Sequence, residues 1–490
     1  MSQGLHAMNG GAIDNFVGGR FVPPAAGDRR ADRDPATTRV LGELAWSTAA
    51  DVNEAVSAAH AALTGPWGQT SAPERAAMLD AIADGIEARF DELVLLESHD
   101  TGKPVSIARA VDIARAVSNF RFFAGAVRHT GSDAHPMADA LNYTLRKRLG
   151  VVALITPWNL PLYLLSWKVA PALAMGNTVV AKPSEVTPLT AHALGAIARD
   201  AGLPDGVLNI VHGGGADVGA PLCEHPLVKA ISFTGGTITG HKVAAAGARS
   251  LKKVSLELGG KNPTLVFADC DLERTVEGVL RASFANQGQV CLCGERLLVE
   301  ASIADEFLVR LATAAERLPI GDPRDPATRF GSQVSPEHRE KIEAFVQSAR
   351  DDGGKVVTGG KRPALSAPFA RGAFYTPTIV DGLPPDASFA RDEVFGPVVS
   401  AHRFTNDDEA LALANGVDYG LSASVWTKDL RRAHRLGAQI DAGTVWVNTW
   451  LKRDLRVPFG GMKASGVGRE GGRYSLEFFS EVTNVCIDLS

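Results

Sequence analysis

The chain has 490 residues, of which 45% are hydrophobic and 21% are charged, and its net charge is −5. This length allows two or three globular domains, and the slightly acidic balance gives no reason to expect nucleic-acid binding. The N-terminal segment lacks the basic and apolar regions of a signal peptide, and no apolar run reaches the ~18 residues that a membrane helix needs, so we expect a soluble cytoplasmic protein.

Strand-like and helical segments alternate along most of the chain. In the first half, apolar runs typical of strands are separated by helical stretches; these runs cover residues 151–155, 177–182, 206–211 and 229–235. A similar alternation follows residue 291, with strand-like runs at 296–300, 422–427 and 443–448 and a helix around 302–317. The pattern predicts two α/β domains with parallel sheets. Two further strand-like runs, at 141–149 and 481–489, fit neither domain, and we expect them to pair into a small sheet used in assembly.

Cys291 is the candidate nucleophile. It lies in the run FANQGQVCLC (284–293), and Gly288, three residues earlier, allows a substrate to approach the backbone closely. The alternative is a buried cysteine that packs as a small hydrophobic residue. Five cysteines, an odd number, argue against a disulfide framework, and no spacing of cysteine and histidine predicts a metal site.

Two polar residues that follow apolar strands are candidates for acid–base and oxyanion roles. Glu257, in SLELGGKNP, stands at the carboxyl end of a predicted strand, where α/β proteins place reacting groups. A partly desolvated glutamate can act as a general base, although a solvated turn residue is the alternative. Asn159, in ITPWNLP, lies between two prolines that fix its loop, so its amide could stabilise an oxyanion or satisfy its own turn.

Three segments carry features of a dinucleotide site. FTGGTITG (233–240) places Gly235 and Gly236 between a strand and a helix, where backbone N–H groups bind phosphate. Lys182 and Glu185 follow another strand and could bind ribose hydroxyls. A carboxylate at this place would repel a 2′-phosphate, which favours NAD over NADP. Glu393, with Phe395 after it, could hold the second ribose.

Taken together, these motifs resemble those of the aldehyde dehydrogenase superfamily. PWNLP, AKPSE, FTGGTITG, LELGGKNP, NQGQVC, EVFGPV and PFGGMKASGVGRE occur in the order of that superfamily and span nearly the whole chain. The resemblance implies that Cys291 is the nucleophile, that Glu257 activates the deacylating water, and that Asn159 and the backbone N–H of Cys291 form the oxyanion hole. It also implies a proton relay through Lys168 and Glu470. Gly236 departs from the serine that is common in the superfamily, and this removes a hydrogen bond to phosphate.

The resemblance also implies a fold with a Rossmann-type NAD domain, an α/β catalytic domain and a small β oligomerisation domain. The expected boundaries are 1–129 and 149–259 for the NAD domain, 260–465 for the catalytic domain, and 130–148 and 466–490 for the oligomerisation segments. A homo-oligomer, dimer or tetramer, is expected. The residues that the resemblance implies as NAD contacts are Thr156, Pro157, Trp158, Lys182, Ser184, Glu185, Gly215, Phe233, Thr234, Gly235, Gly236, Leu258, Glu393 and Phe395.

Two arginines suggest the class of aldehyde. By alignment to the superfamily, Arg115 and Arg453 face the substrate tunnel, where two guanidinium groups would clamp a carboxylate. Helical spacing predicts that Arg115 faces the same way as Val111. Exposed arginines with local ion pairs are the alternative, and Arg456 could take the place of Arg453.

Several segments are most similar to the subfamily of 2-hydroxymuconic and 2-aminomuconic semialdehyde dehydrogenases; they are PWNLPLYLLSWKVAPA, NFRFFAG and FANQGQVCLC. That likeness implies a semialdehyde with a carboxylate at its far end. The residues expected to line its chain are Leu160, Tyr163, Trp167, Val290, Leu292 and Phe459. Three alternatives remain open: a broad-range or betaine-type dehydrogenase, an enzyme that transfers the acyl group to coenzyme A, and a non-enzymatic binding protein on the same fold.

Overall fold

The computed structural model describes residues 3–490 and divides most of its strands between two large sheets. The first sheet has eight strands, and its central strands run parallel to one another. In order across the sheet they are Gly466–Val467, Lys253–Glu257, Val228–Thr234, Val151–Ile155, Thr178–Lys182, Leu208–Ile210, Asn15–Val17 and Arg20–Val22. The four apolar runs predicted in the first half of the chain are therefore adjacent parallel strands, and that prediction is confirmed.

The second sheet has seven strands and is parallel except for one edge strand. Its strands are, in order, Lys355–Thr358, Thr378–Asp381, Val398–Phe404, Arg296–Glu300, Pro263–Val266, Ser422–Trp426 and Thr444–Val447. The chain passes from the first sheet to the second through a short turn at residues 258–262, directly after Glu257. The predicted α/β architecture with two parallel sheets is confirmed.

A third sheet joins the two strand-like runs that fit neither domain. Ser480–Asp488 pairs antiparallel with Ala140–Arg148, whose other edge pairs with Ala134–Pro136. The predicted pairing is confirmed, while its use in assembly and the domain boundaries stay predictions. Two small sheets complete the set; they consist of Ala12–Ile13, Val40–Ala45 and Arg29–Arg33, and of Tyr419–Gly420 and Met462–Lys463.

Helices cover both faces of the large sheets. The α-helices are Gln3–Met8, Ala49–Ala62, Ala72–Ala88, Phe90–Thr101, Val105–Ile107, Ala114–Arg128, Pro161–Ala174, Leu189–Asp200, Ala220–Glu224, Thr237–Ala248, Leu272–Phe284, Ala304–Glu316, Pro336–Asp351, Ser388–Arg391, Asp407–Asn415, Leu430–Gln439 and Gly472–Phe478. Shorter 3₁₀ and π segments are Pro66–Gln69, Ala108–Ile113, Gly215–Gly219, Ala285–Gly288 and Phe369–Arg371. Within residues 3–490, no helix combines the length and the apolar character needed to span a membrane.

The packing of strand Val151–Ile155 explains why its sequence is apolar throughout. Val152 and Leu154 pack into one apolar cluster, whereas Ala153 and Ile155 pack into another on the opposite face. This alternation follows from the two-residue period of a strand, and burial of both faces is typical of a parallel sheet covered by helices.

Polar segments follow the carboxyl ends of the central strands. Residues 156–160 follow Ile155, Lys182 ends its own strand, Thr234 precedes a pair of glycines, and Glu257 is the last residue of Lys253–Glu257. Because the carboxyl ends of parallel strands lie at one edge of a sheet, these segments meet there.

Candidate active site

Three adjoining cavities open at this edge of the first sheet. We call them the large cavity, of about 700 Å³, the apolar cavity, of about 280 Å³, and the junction pocket, of about 240 Å³. The junction pocket shares Trp158 with the large cavity and Cys291 with the apolar cavity. A molecule that extends from the large cavity therefore approaches the same sulfur as a molecule in the apolar cavity.

The large cavity contains most of the residues predicted to contact a dinucleotide. They are Thr156, Pro157, Trp158, Lys182, Ser184, Glu185, Gly215, Phe233, Thr234, Gly235 and Gly236. Helix Thr237–Ala248 begins at its wall, with Gly236 at the N-cap and no side chain bonded to the first amides. Amides at a helix N-terminus bind phosphate, so this donor set fits the pyrophosphate of a dinucleotide.

Lys182 and Glu185 form an ion pair at the wall of the large cavity. Lys182 Nζ lies 2.7 Å from Glu185 Oε2, and the lysine side chain is buried whereas the glutamate is partly exposed. The pair orients the carboxylate and the ammonium on one side of the cavity, as binding of a ribose diol requires.

The junction pocket is lined by Glu393 and Phe395, on a loop that a buried ion pair holds in place. Lys261 Nζ lies 2.6 Å from Glu295 Oε2, and the Glu295 carboxylate accepts hydrogen bonds from the amides of Val394 (3.0 Å) and Phe395 (2.8 Å). These bonds hold Phe395 at a φ of 61°, which is uncommon for a residue other than glycine.

The Glu393 carboxyl lies at the wall of the junction pocket. Its Oε1 accepts a hydrogen bond of 2.9 Å from the amide of Gly260. Desolvation by the surrounding protein, together with the nearby Glu295 carboxylate, raises the pKa of Glu393 to about 8, although the Gly260 bond opposes this shift. A carboxyl with one anchored oxygen can turn its other oxygen toward a hydroxyl in the pocket.

The backbone before Cys291 adopts an unusual conformation. Asn286 and Gln287 have φ angles of 49° and 57°, and Gly288 has a φ of 74°. A side chain at position 288 would overlap the backbone of Gly396, so only glycine fits. The Asn262 side chain donates hydrogen bonds to the carbonyls of Cys291 (2.7 Å) and Cys293 (2.9 Å) and so fixes the other side of the loop.

The Cys291 thiol is partly exposed to two cavities, unlike the neighbouring Cys293, which is buried. Desolvation raises the pKa of Cys291 to about 12, and the carboxylates of Glu393 and Glu257 act in the same direction. The positive charge of Arg453 opposes them. The resting thiol is therefore protonated at neutral pH and must lose its proton before it can act as a nucleophile.

Glu257 is buried at the wall of the apolar cavity and the junction pocket, and neither of its carboxyl oxygens has a hydrogen-bond partner among residues 3–490. Burial raises its pKa well above the usual range, and Glu470 adds to this effect, while Lys168 and Arg453 oppose it. A carboxyl with a raised pKa and free oxygens is a stronger base than an ordinary carboxylate, which suits general-base catalysis.

Lys168 and Glu470, the predicted relay partners, form a buried ion pair. Lys168 Nζ lies 2.6 Å from Glu470 Oε1, and Ser232 Oγ lies 2.8 Å from the ammonium and 3.1 Å from the same carboxylate oxygen. Lys168 affects Glu257 through its charge. Glu470 lines the apolar cavity with Glu257, so the structure brings the predicted relay residues together.

Asn159 lines the junction pocket with Cys291. Its Nδ2 donates a hydrogen bond of 2.9 Å to the carbonyl of Gln289, which leaves the second N–H of the amide for a ligand. The backbone carbonyl oxygen of Asn159 accepts hydrogen bonds from Lys103 Nζ at 2.9 Å and from Asn286 Nδ2 at 3.1 Å.

The apolar cavity is lined by Cys291 and by one guanidinium with two buried nitrogen atoms. The residues predicted to line a substrate chain, namely Leu160, Tyr163, Trp167, Val290, Leu292 and Phe459, all line it, and so does Arg453. The Arg453 guanidinium carbon lies 3.9 Å from the ring centroid of Phe459 and 4.8 Å from that of Trp167. Its Nη1 donates to Tyr163 Oη at 3.4 Å, while Nε and Nη2 are buried without a hydrogen-bond partner in the described chain.

Arg115 and Arg456 lie outside the lining of the apolar cavity. The helix predicted around Arg115 is interrupted by the π segment Ala108–Ile113, which shifts the faces of the two flanking helices. As a result, Val111 lines the cavity, whereas the half-buried Arg115 places its guanidinium carbon 5.5 Å from the ring centroid of Tyr163. Arg456 is exposed and paired with Asp454 at 2.8 Å.

Several residues of these cavities escape prediction from the sequence. Arg281 and Arg329 line the apolar cavity, where both are partly open to solvent, and Trp450 lies beneath Arg281 at 5.9 Å. His338 and Lys341 line the junction pocket. A helix rich in charged residues, such as Pro336–Asp351, gives no signal that one of its turns reaches a cavity. No cluster of residues that could hold a metal ion occurs in residues 3–490.

Comparison with known proteins gives the family. The model of the aldehyde dehydrogenase family matches residues 21–485. The chain belongs to the aldehyde dehydrogenase family. It is therefore an oxidoreductase that oxidises an aldehyde with a nicotinamide dinucleotide.

The chain is similar along its whole length to aldehyde dehydrogenases of known substrate or structure. It is 50% identical to a 2-hydroxymuconic semialdehyde dehydrogenase of Pseudomonas sp. (strain CF600), over 97% of this chain and 99% of the relative. It is 46% identical to a 2-aminomuconic semialdehyde dehydrogenase of Danio rerio, over 97% of this chain and 98% of the relative. The NAD⁺ complex of an aldehyde dehydrogenase from Bacillus cereus superposes with a TM-score of 0.97 at 35% identity, over 100% of this chain and 99% of that one.

Proposed function

We propose that this aldehyde dehydrogenase oxidises a semialdehyde that carries a carboxylate at its far end, of the 2-hydroxymuconic or 2-aminomuconic type, with NAD as the cofactor. The guanidinium of Arg453, whose Nε and Nη2 are buried at the wall of the apolar cavity without a hydrogen-bond partner in the described chain, carries the proposal. A buried cation without an anion is costly, and a substrate carboxylate would supply the missing acceptor.

The aromatic lining of the apolar cavity supports a flat, unsaturated chain between the two ends of the substrate. The rings of Tyr163, Trp167 and Phe459 surround Arg453, and Cys291 lines the same cavity. A carboxylate bound by Arg453 would direct the aldehyde carbon toward the sulfur. Arg115 acts from behind Tyr163 and adds positive charge to the same region. A cationic aldehyde of the betaine type would be repelled by these two arginines.

In the proposed reaction, Glu257 takes the proton of the Cys291 thiol and passes it on through Glu470, and the resulting thiolate attacks the aldehyde carbon to form a thiohemiacetal. The free N–H of the Asn159 amide donates to the developing alkoxide, as an oxyanion hole does. NAD bound in the large cavity supplies the acceptor for the hydride that leaves as the thiohemiacetal becomes a thioester. Glu257 then takes a proton from the water that attacks the thioester carbon, and Glu470 beside it passes the proton onward.

The ribose-binding side of the large cavity supports NAD over NADP. Glu185 presents a carboxylate that its ion pair with Lys182 holds in place. It can accept hydrogen bonds from the 2′- and 3′-hydroxyls of the adenosine ribose, but it would repel a 2′-phosphate.

The test is to incubate the purified protein with 2-hydroxymuconic semialdehyde and NAD and to measure both NADH and the dicarboxylate product. We expect equal amounts of the two, without added thiol, and loss of both in Cys291→Ser. Product that forms only when coenzyme A is added would contradict hydrolysis of the thioester. Absence of NADH with this aldehyde, when an uncharged aldehyde is oxidised, would contradict the substrate class.

A further inference from the structure

A lysine buried beneath the active site bonds to the backbone of Asn159. Lys103 is fully buried, and its Nζ lies 2.9 Å from the Asn159 carbonyl oxygen and 2.7 Å from Asp112 Oδ1. Lys103 lies outside the lining of all three cavities, so it touches neither aldehyde nor dinucleotide. Asn159 is the residue through which Lys103 contacts the lining of these cavities.

The charge of Lys103 is balanced within a small buried network. Glu97 Oε1 lies 3.9 Å from the ammonium, and Glu97 Oε2 accepts a hydrogen bond of 2.7 Å from Thr190 Oγ1. Burial raises the pKa of Glu97 well above its usual range, and the neighbouring Asp112 carboxylate adds to this effect. The Asp112 carboxylate, at 2.7 Å, lies closer to the Lys103 ammonium than Glu97 does and is its counter-charge.

The backbone of Lys103 is held as firmly as its side chain. Gly102 ends the preceding helix in a left-handed conformation with a φ of 74°, which turns the chain sharply. Ser98 Oγ then donates a hydrogen bond of 2.7 Å to the Lys103 carbonyl, and the Lys103 amide donates to Thr101 Oγ1 at 3.3 Å. The backbone from which the Lys103 side chain reaches Asn159 is therefore fixed.

The Asn159 carbonyl is held from a second direction by the loop of the nucleophile. Asn286 Nδ2 donates to this oxygen at 3.1 Å and to the Gln289 carbonyl at 3.2 Å, and the Asn159 side chain donates to the same Gln289 carbonyl. Lys103 and Asn286 thus fix Asn159 relative to the segment that carries Cys291. A shift of this backbone would move the Asn159 amide away from the alkoxide.

We propose that Lys103, held by Asp112, is a positioning residue that fixes the Asn159 amide in the geometry needed to stabilise the oxyanion. The inference rests on the proposed role of Asn159. A lysine is suited to this place because its ammonium can donate to two acceptors at once, whereas a neutral side chain of similar length, such as methionine, offers no donor.

The test is a double-mutant cycle on the rate of NADH formation in a single turnover, with 2-hydroxymuconic semialdehyde and saturating NAD. Lys103→Met removes the hydrogen-bond donor but leaves the Asp112 carboxylate buried without its partner. Lys103→Met with Asp112→Asn removes that charge as well, and it serves as the folded variant if Lys103→Met alone is unstable. We expect either to slow NADH formation by about tenfold to a hundredfold, the effect of a misplaced catalytic group, with an unchanged KM for NAD. In the Asn159→Ala background, the same changes should alter the rate by less than about twofold.

Thr190→Val provides the matched control, since it removes the hydrogen bond at the far end of the network but leaves Lys103 and Asn159 in contact. It should lower the thermal stability and leave the single-turnover rate unchanged. If Lys103→Met slows the Asn159→Ala variant by the same factor as it slows the wild type, Lys103 has a general structural role and the inference is overturned. A normal single-turnover rate in both Lys103 variants would also overturn it. A normal rate in Asn159→Ala alone would instead overturn the proposed oxyanion role of Asn159.

Discussion

Glu470 raises the pKa of Glu257, the candidate base, although Lys168 pairs with Glu470 at 2.6 Å and partly cancels its charge. The larger contribution comes from burial, which leaves both Glu257 oxygens without partners among the described residues. Burial of such a carboxyl lowers the stability of the protein, and the same burial makes the carboxylate a stronger base.

This relationship predicts that Glu257→Gln makes the protein more stable. Because the folded-state pKa of Glu257 lies above its unfolded value, the folded form holds a proton that the unfolded form releases, and stability falls as the pH rises through this interval. The amide has no such proton to lose. We expect the Tm of Glu257→Gln to exceed that of the wild type by a margin that grows from about pH 5 upward, while NADH turnover is lost; a margin independent of pH would contradict the raised pKa.

Gly236→Ser should improve binding of the dinucleotide. Gly236 is the N-cap of helix Thr237–Ala248 with a φ of −70°, and the space next to its Cα is open, so a side chain can be added without strain. A serine hydroxyl there would donate to the pyrophosphate, and a charged hydrogen bond of ~1.5 kcal/mol corresponds to about a tenfold lower Kd for NAD. Titration of NAD by calorimetry checks this; a Kd that rises would mean that the hydroxyl blocks the phosphate.

Glu185→Gln should relax the preference for NAD. The substitution removes the negative charge that would face a 2′-phosphate and frees the Lys182 ammonium from its ion pair. We expect kcat/KM with NADP, relative to that with NAD, to rise by about tenfold or more. Steady-state rates with both cofactors check this, and an unchanged ratio would show that Glu185 does not face the 2′-position.

Arg281 and Arg329 should accelerate capture of an anionic aldehyde. Both line the apolar cavity and are partly open to solvent, so their charge acts on a substrate before it reaches Arg453. The double change to glutamine should lower kcat/KM for 2-hydroxymuconic semialdehyde by about threefold to tenfold at low ionic strength and weaken its dependence on salt, without an effect on kcat. Arg310→Gln, at an exposed ion pair outside the three cavities, is the control. An equal loss for an uncharged aldehyde would rule out an electrostatic cause.

The sequence is sufficient to predict the features that depend on local pattern. The apolar run at Val151–Ile155 identifies a buried parallel strand, the segment around Glu257 lies at the edge where such strands end, and the segment around Cys291 precedes the strand Arg296–Glu300. Each of these segments can be recognised from its local sequence, because a single short stretch of chain forms it. The roles of the individual site residues stay predictions.

The features that escaped prediction depend on contacts between distant segments or on a small change in helical geometry. Lys103 meets Asn159 across 56 positions of the chain, and nothing near it in sequence indicates that contact. The π segment Ala108–Ile113 changes the direction of Arg115 relative to Val111, which a regular helical period does not describe. Arg281 and Arg329 come from separate elements and become neighbours of one cavity only in the folded chain.

The most direct test of carboxylate recognition compares kcat/KM for 2-hydroxymuconic semialdehyde with that for an uncharged aldehyde of similar length. The wild type, Arg453→Gln and Arg456→Gln should be measured together, because Arg456 lies on the same loop but is exposed and paired with Asp454. We expect Arg453→Gln to lower the preference for the carboxylated aldehyde by about tenfold to a hundredfold and Arg456→Gln to leave it unchanged. A preference that survives Arg453→Gln, or that is absent from the wild type, would contradict the account.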